Sequence, residues 1–455
     1  MVPIETGTWV HFVGIGGVSM SALAELLQQR GCLVSGSDRS ASSLTDRLRS
    51  LGIAVQIGHA AENVQDAQVI IYTSATDAGN PERREAERRE LPQVRRAELL
   101  GYLTEQHPTI CVAGTHGKTT TTAMVGAVLE AGGLEPTLLV GGIVHGPGSN
   151  LKVGKGKYWV VEADEFDRSF LALTPTIAVV TTLDADHLDC YSGMEDIRTT
   201  FEQFVNSVPA AGCAILCHDE PEIDKLRISD RVSRLTYGQN EGSRLRCETV
   251  LPSDFGSTFT LFDNGTRLDT VALKVPGLHN VKNALAAISV GRFLNIAWPH
   301  IKAGIESFRG VRRRFDVLGT RNGITVVDDY AHHPTEIKAT LEAARQSWPG
   351  RIVAAFQPHL YSRTRDFVDA FAQELQAADL VWLTEIYAAR ESPIAGINGE
   401  LIADKIPGAH FAPTLEGLRS ELMHALEPGD LLVVMGAGDI DKLPHQVWND
   451  LQQLT

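Results

Sequence analysis

Strand-like apolar runs alternate with amphipathic helical patterns almost from one end of this sequence to the other, the signature of parallel sheets covered by helices. The fold class is therefore α/β. Residues 9–105 open with the strand WVHFV, turn at GIGG, continue through the helix SALAELLQQR and return through CLVSGSD, one complete βαβ unit. In PERREAERRE, Pro81 is placed to start a helix and Glu85 precedes Arg89 by four, which reads as a solvated helix face. A second unit begins at the strand TICVA and runs to about Phe308. Within it, residues 245–275 carry short alternating stretches around Asn264 and Gly265, the pattern of an antiparallel β insert. Beyond the basic hinge Arg309 to Arg314 the rhythm restarts at Ile324 and ends in DLLVVMGAG. At 455 residues the chain exceeds what one core supports, so three domains are expected, bounded at 1–107, 108–311 and 312–455.

Composition narrows the function. The formal charge of −15 argues against a nucleic-acid backbone as partner, so any polyphosphate must be met by local glycines, lysine and metal. No apolar run reaches membrane-spanning length, and the N-terminus lacks a basic leader region, so no membrane association and a cytoplasmic location are expected. Six cysteines are too few and scattered for a disulfide framework. Cys213 and Cys217, followed by His218, lack a second ligand pair and read as strand, not as a zinc site.

The sharpest local signal is Gly114-Thr115-His116-Gly117-Lys118-Thr119-Thr120, lying between a strand and a helix. Backbone N–H groups at such a turn point at phosphate oxygens, lysine adds a point charge, and the hydroxyl after it can hold Mg²⁺. These are the needs of ATP. Val112 stands at the first glycine position of the full phosphate-loop pattern, so this is a shortened variant. Two acidic clusters follow strands in the same domain, one from Glu162 to Asp167 and one from Asp184 through His187 to Asp189. Their oxygens and single imidazole suit Mg²⁺, or Mn²⁺, bridging phosphates much better than zinc. The opening turn, with Gly14, Gly16 and Gly17, resembles a dinucleotide fingerprint with Ser19 at the third glycine position. It suits a nucleotide diphosphate, with Ser37 or Asp38 near a ribose or base, and does not separate NAD from UDP. In the third domain, Asp328 to Pro334 and Gln357 to Arg365 end consecutive strands, expected to be adjacent and to bring these loops together. Arginine there can clamp a carboxylate, and the histidines and Asp329 can steer an amine or phosphate. A metal site and simple hydrogen-bonded loops remain open readings of the same histidines.

Together, HFVGIGGVSM, AGTHGKTTTTAMV, VVEADEFDRSF, DADHLDCY, PGLHNVKNALAA, VDDYAHHPTEI, FQPHLYSRTRD and GAGDI resemble, in order, the Mur ligase family. The resemblance implies a Rossmann-like N-terminal domain for a UDP-sugar, with Ser74 joining Gly14, Gly16, Gly17, Ser37 and Asp38. It implies a central domain like phosphate-loop ATPases, and a Rossmann-like C-terminal domain for the amino acid. Lys118 would lie on the ATP phosphates, Thr119 and Glu162 on one Mg²⁺, and His187 on a second. Asn280 and Asn283 match the adenine-recognition helix, while Arg314, Asp329, His332 and Arg363 match positions facing ATP or the amino acid. Lys118, His187, His332 and Arg363 would form the catalytic set. Phe166 and Arg168 depart from the usual serine and small residue, and YSGMEDIRTTFEQFV lacks the lysine that some sister ligases carbamylate.

The implied reaction is ATP-driven ligation of L-alanine to the lactyl carboxylate of UDP-N-acetylmuramate through an acyl phosphate, by a monomer or homodimer, in peptidoglycan synthesis. Substrates held by different domains imply a hinge motion. Within the family, attachment of a whole murein peptide to the same UDP-sugar is the rival, and FQPHLYSRT with GAGDI favours free alanine. From another class, the N-terminal turn alone also suits an NAD-dependent oxidoreductase or a nucleotide-sensing regulator, for which the phosphate loop is surplus.

Overall fold

A computed structural model of the chain describes residues 4–145, 149–185, 190–389 and 391–453. By its internal contacts the chain divides into two units, one of Met1–Arg246, Phe262–Thr266 and Lys282–Ile305, the other of Cys247–Leu261, Arg267–Val281 and Glu306–Thr455. Among the described residues, no helix is long and apolar enough to cross a membrane.

The first unit carries the N-terminal sheet and the greater part of a central one. Its N-terminal part runs β1 (Trp9–Val13), α1 (Val18–Gln29), β2 (Leu33–Asp38), α2 (Ser43–Ser50), β3 (Ala54–Ile57), β4 (Val69–Tyr72), α3 (Pro81–Arg88), β5 (Gln93–Arg95) and α4 (Arg96–Glu105). The strands pair in the order β3-β2-β1-β4-β5, all parallel. β1 lies in the middle because Val10, Phe12 and Val13 are buried on both faces of the sheet. The order reverses between β1 and β4, and such a reversal opens a crevice at the carboxyl ends of the strands.

The central part comprises β6 (Thr109–Ala113), α5 (Lys118–Ala131), β7 (Thr137–Leu139), β8 (Leu151–Lys152), β9 (Trp159–Glu162), β10 (Ile177–Val180), α6 (Met194–Asn206), β11 (Cys213–Cys217), α7 (Pro221–Asp224) and β12 (Ser233–Gly238). They order as β12-β11-β10-β6-β9-β7-β8, parallel except β7 with β8. β6, buried at every residue, sits between β10 and β9, and its carboxyl end feeds α5. Cys213 and Cys217 are the buried ends of β11, as the strand reading expects. Then come β13 (Leu245–Ser253), β14 (Gly256–Asp263) and β15 (Thr266–Leu273), neighbours in sequence and in space. Asn264 and Gly265 between the last two have φ of 50° and 76°, the paired positive values of a tight hairpin turn. Two helices follow, α8 (Leu278–Phe293) and α9 (Trp298–Ser307).

The third sheet belongs to the second unit. It contains β16 (Asp316–Arg321), β17 (Ile324–Asp329), α10 (Pro334–Ser347), β18 (Ile352–Phe356), α11 (Tyr361–Leu375), β19 (Leu380–Leu383), α12 (Glu400–Ala403), β20 (His410–Phe411), α13 (Leu415–Ala425), β21 (Leu431–Met435) and α14 (Leu443–Gln453). Alternate residues of β18 and β21 feed two cores: Ile352, Ala354, Phe356, Leu431, Val433 and Met435 on one face, Val353, Ala355, Leu432 and Val434 on the other. The order is β16-β17-β21-β18-β19-β20, with only β16 antiparallel. This corrects one expectation. β17 and β18 follow each other in the chain but are not neighbours; the wholly buried β21 lies between them, where both its apolar faces are covered.

Candidate active site

The turn after β6 is built to bring backbone close to a ligand. Gly114 has φ of 130°, and a Cβ there would lie 2.1 Å from Thr181 Oγ1, so only glycine fits. Gly117, with φ of 82°, precedes α5, and a Cβ there would meet Asn283 Oδ1 at 2.6 Å. The loop is pinned to the end of β10: Thr115 N donates to Thr182 O at 3.0 Å and His116 N to Thr182 Oγ1 at 2.8 Å. Asp184 N donates to Thr115 Oγ1 at 2.9 Å, and His116 Nε2 faces Asp184 Oδ2 at 3.4 Å. Thr121 Oγ1 donates to Asn283 Oδ1 at 3.0 Å, fastening the helix start.

Lys118 folds back over this turn, donating to Gly114 O at 2.7 Å and to both Glu165 oxygens at 2.8 Å. Burial pulls its pKa down, but Glu165, with Asp164 and Glu162, outweighs that and holds the ammonium above its usual range. Thr119 Oγ1 donates to Glu162 Oε1 at 3.1 Å, and Gly141 N donates to Glu162 Oε2 at 2.7 Å. A hydroxyl and a carboxylate side by side, beside the loop lysine, form an oxygen-donor set that fits Mg²⁺. Asp184 and Ala185 begin the second acidic cluster; His187 lies outside the described residues. Arg168, unusual in the motif, pairs with Asp196 at 2.8 Å and Thr200 at 2.9 Å, and so braces α6.

At the N-terminal turn, Gly14 N and Ile15 N both donate to Ser37 O, at 2.8 and 2.9 Å. Gly16 N donates to Asp38 Oδ2 at 2.8 Å, which seats the Asp38 carboxylate against the glycine turn. Beneath lies Glu82, fully buried, accepting from Ser37 Oγ and Asn63 Nδ2 at 2.6 Å each. His59 and His11 face it at 3.4 and 3.7 Å. Sequence reading took α3 for a solvated face; Glu82 and Ala86 are instead buried in it, and Glu85 pairs with Arg88 at 2.6 Å rather than with Arg89.

In the second unit, Asp329 accepts from Phe315 N at 2.6 Å and Ala331 N at 2.7 Å. Burial raises its pKa to about 6, against the pull of Arg314 and those two N–H groups. Burial, opposed by Arg313, likewise lifts Asp328 to about 7. A carboxyl whose folded pKa is raised binds protons more tightly folded than unfolded, so its penalty is absent below pH 3.8 and grows as pH rises toward 7. Asp328→Asn is therefore expected to gain about 2 to 4 kcal/mol relative to the parent between pH 5 and pH 8. Thermal melts at the two pH values check this; an unchanged difference refutes it. His332 Nδ1 lies 3.0 Å from Tyr330 O and 3.1 Å from Glu336, and Arg314 Cζ stands 5.0 Å from the Tyr330 ring centre. Arg363 is buried in the first turn of α11. Asn280 Nδ2 donates to Pro276 O at 2.7 Å. Thus the loops of β17 and β18 do meet, with the His332 and His359 rings 5.7 Å apart, although a strand separates their parent strands. Ser74 follows β4 in the N-terminal sheet.

Glu165 and Glu82 had no role assigned from sequence. Glu165 stood inside the cluster singled out, but a carboxylate partner for Lys118 47 residues away is invisible to local spacing. Thr181 and Thr182, which anchor the loop, gave no signal beyond ending a strand.

Comparison with known proteins places the chain in a family. Three family models match consecutive stretches: the Mur ligase family catalytic domain over residues 9–108, the Mur ligase middle domain over 112–291, and the Mur ligase glutamate ligase domain over 313–438. A protein of Salinibacter ruber named UDP-N-acetylmuramate–L-alanine ligase is 48% identical over 439 residues, covering 95% of this chain and 92% of its own. The crystal structure of the UDP-N-acetylmuramate–alanine ligase of Thermotoga maritima superposes with a TM-score of 0.86 at 31% identity, covering 98% of this chain and 99% of that one. That of a murein peptide ligase from Psychrobacter arcticus superposes at 0.74 with 25% identity, covering 99% and 100%. Three successive family matches and near-full-length identity, laid over a lysine-bearing turn at the end of a central parallel strand, establish that the chain belongs to the Mur ligase family.

Proposed function

We propose that this chain joins L-alanine to the lactyl carboxylate of UDP-N-acetylmuramate, converting ATP to ADP and phosphate. The observation that carries the reading is the cradle at the end of β6, where Lys118 stands over a backbone turn that no side chain can enter at Gly114. The names of the full-length relatives supply the other two substrates, and availability of ATP favours the cytoplasm as the site of reaction.

In this reading residues 1–107 take the UDP moiety at Gly14, Gly16, Gly17, Ser37, Asp38 and Ser74. Residues 108–311 take ATP at the turn from Gly114 to Thr120 and at Asn280 and Asn283, and residues 312–455 take the amino acid, with Arg314 and Asp329 assigned to ATP. Condensing a carboxylate with an amine needs a leaving group better than hydroxide. The carboxylate oxygen attacks the γ-phosphorus, the bond to the β-phosphate bridge oxygen breaks, and ADP leaves. The amine then attacks the acyl carbon, phosphate departs and the amine loses a proton. Lys118 balances charge during phosphoryl transfer, where catalysis is chiefly positioning and electrostatics. Thr119 and Glu162 would hold Mg²⁺, which supplies charge neutralisation at the phosphates, with His187 for a second ion. Arg363 and His332 orient the amino acid.

An ADP-release assay with UDP-N-acetylmuramate and Mg²⁺, adding alanine, serine, glycine or the murein tripeptide in turn, tests the assignment. Alanine is expected to stimulate most. If no amino acid stimulates release, the alanine reading fails; if only the tripeptide does, peptide recycling replaces it.

A further inference from the structure

A second loop is laced to the one that carries His359 and Arg363. After β19, Tyr387 N donates to Pro358 O at 2.9 Å, and Leu360 N donates back to Tyr387 O at 3.0 Å. The exchange makes a parallel bridge between His359 and Tyr387 beyond the end of the sheet. Further on, Glu391 accepts from both the N–H and the hydroxyl of Ser362, capping the start of α11 one residue before Arg363. Leu360, between these two fastenings, has φ of 69°, a costly conformation for a branched side chain that persists only where its surroundings impose it.

The Tyr387 ring lies 5.8 Å from the His359 ring at 17° between planes, a stacked pair. It also lies against the loop after β21: a Cβ at Gly438 would come within 2.5 Å of Tyr387 Cγ. The ring is thus wedged between His359 and a backbone that must be bare to admit it. Rings continue from His359 to His332 at 5.7 Å and on to Tyr330 at 5.2 Å. Tyr387 is 37% exposed, so part of it remains open to an incoming molecule. The carboxyl ends of β18, β19 and β21 meet here, the place where α/β sheets take small ligands.

We propose that Tyr387 is a positioning residue of the amino-acid subsite, setting the orientation of the His359 imidazole at the entry to the helix that carries Arg363. This rests on the reading that the third sheet takes the amino acid. Neither residue reacts; their effect is on binding of the small amino acid, not on phosphoryl transfer.

The test is steady-state kinetics of the full chain with each substrate varied. Tyr387→Ala is expected to raise KM for alanine at least about fivefold, the scale of a lost aromatic stack, with kcat and the KM for ATP and UDP-N-acetylmuramate within about twofold. Tyr387→Phe, which keeps the ring, is expected to behave as the parent. Tyr387→Leu fills the space beside Gly438 without stacking, so it carries the test if the alanine variant does not fold, and the same rise is expected. His359→Ala separates the two ideas. If it raises KM for alanine and neither Tyr387→Ala nor Tyr387→Leu does, the role of Tyr387 is refuted alone. An unchanged KM for alanine in His359→Ala removes His359 from the subsite and with it the role of Tyr387; an unchanged KM in Arg363→Ala as well removes the amino acid from this sheet. An equal fall in kcat with every KM unchanged in the Tyr387 variants also overturns the proposal.

Discussion

Lys118→Ala is expected to eliminate the ADP release that depends on both UDP-sugar and amino acid, by a factor of about a thousand or more, the scale for losing a pre-placed cation at a transferring phosphoryl group. The same substitution removes a cationic partner from a buried carboxylate. Glu165 accepts two 2.8 Å hydrogen bonds from Lys118, and breaking a buried ion pair from one side costs about 3 to 5 kcal/mol. Loss of activity by unfolding is therefore to be separated from loss by chemistry. Lys118→Met combined with Glu165→Gln removes the pair together and is expected to melt near the parent temperature while remaining inactive. Near-parental turnover in a folded Lys118 variant would remove the turn after β6 from the reaction.

Glu82→Gln is expected to destabilise the N-terminal sheet by about 3 kcal/mol at neutral pH. Burial works against the charged form, but His11, Ser37 and Asn63 around the carboxyl bring its pKa down from 4.5 to about 2. A depressed carboxyl contributes stability that is fully present above the unfolded value and lost as pH falls through the folded one. The window is thus from about pH 4.5 down to pH 2, and the difference of the two values converts to that figure. Thermal melts of parent and variant should differ widely at pH 7 and converge toward pH 2. A gap of constant width sinks the electrostatic explanation and leaves only altered packing.

Much of the architecture was legible because the cues are local. Unbroken apolar runs such as ICVA and LLVV mark strands buried on both faces, and the helix patterns between them demand parallel pairing. The turn at Asn264 and Gly265 was legible because only residues tolerant of positive φ suit it. The turn after β6 announced itself through its glycines and Lys118. What stayed hidden is non-local. Glu82 sits in a run of ten residues dense with charge, and nothing in that run reveals the histidines and serine that gather round it from β1, β2 and the loop after β3. The pairing of Lys118 with Glu165 depends on β6 and β9 lying side by side. Strand order in the third sheet is not written in burial, since β17, β18 and β21 are all buried throughout, and chain succession misplaced β18 beside β17. Tyr387 carried no motif, since its role comes from two loops brought together by the sheet.

The position of β21 also governs how the second unit is assembled. The strand that divides its sheet into β16-β17 and β18-β19-β20 is the last to be synthesised. Until Leu431 to Met435 leave the ribosome, the halves have no bridge between them and each presents an unpaired, strongly apolar edge. A nascent or truncated chain that stops short of this strand thus holds two sticky half-sheets, and Leu431 to Met435 seal the unit against association with its neighbours.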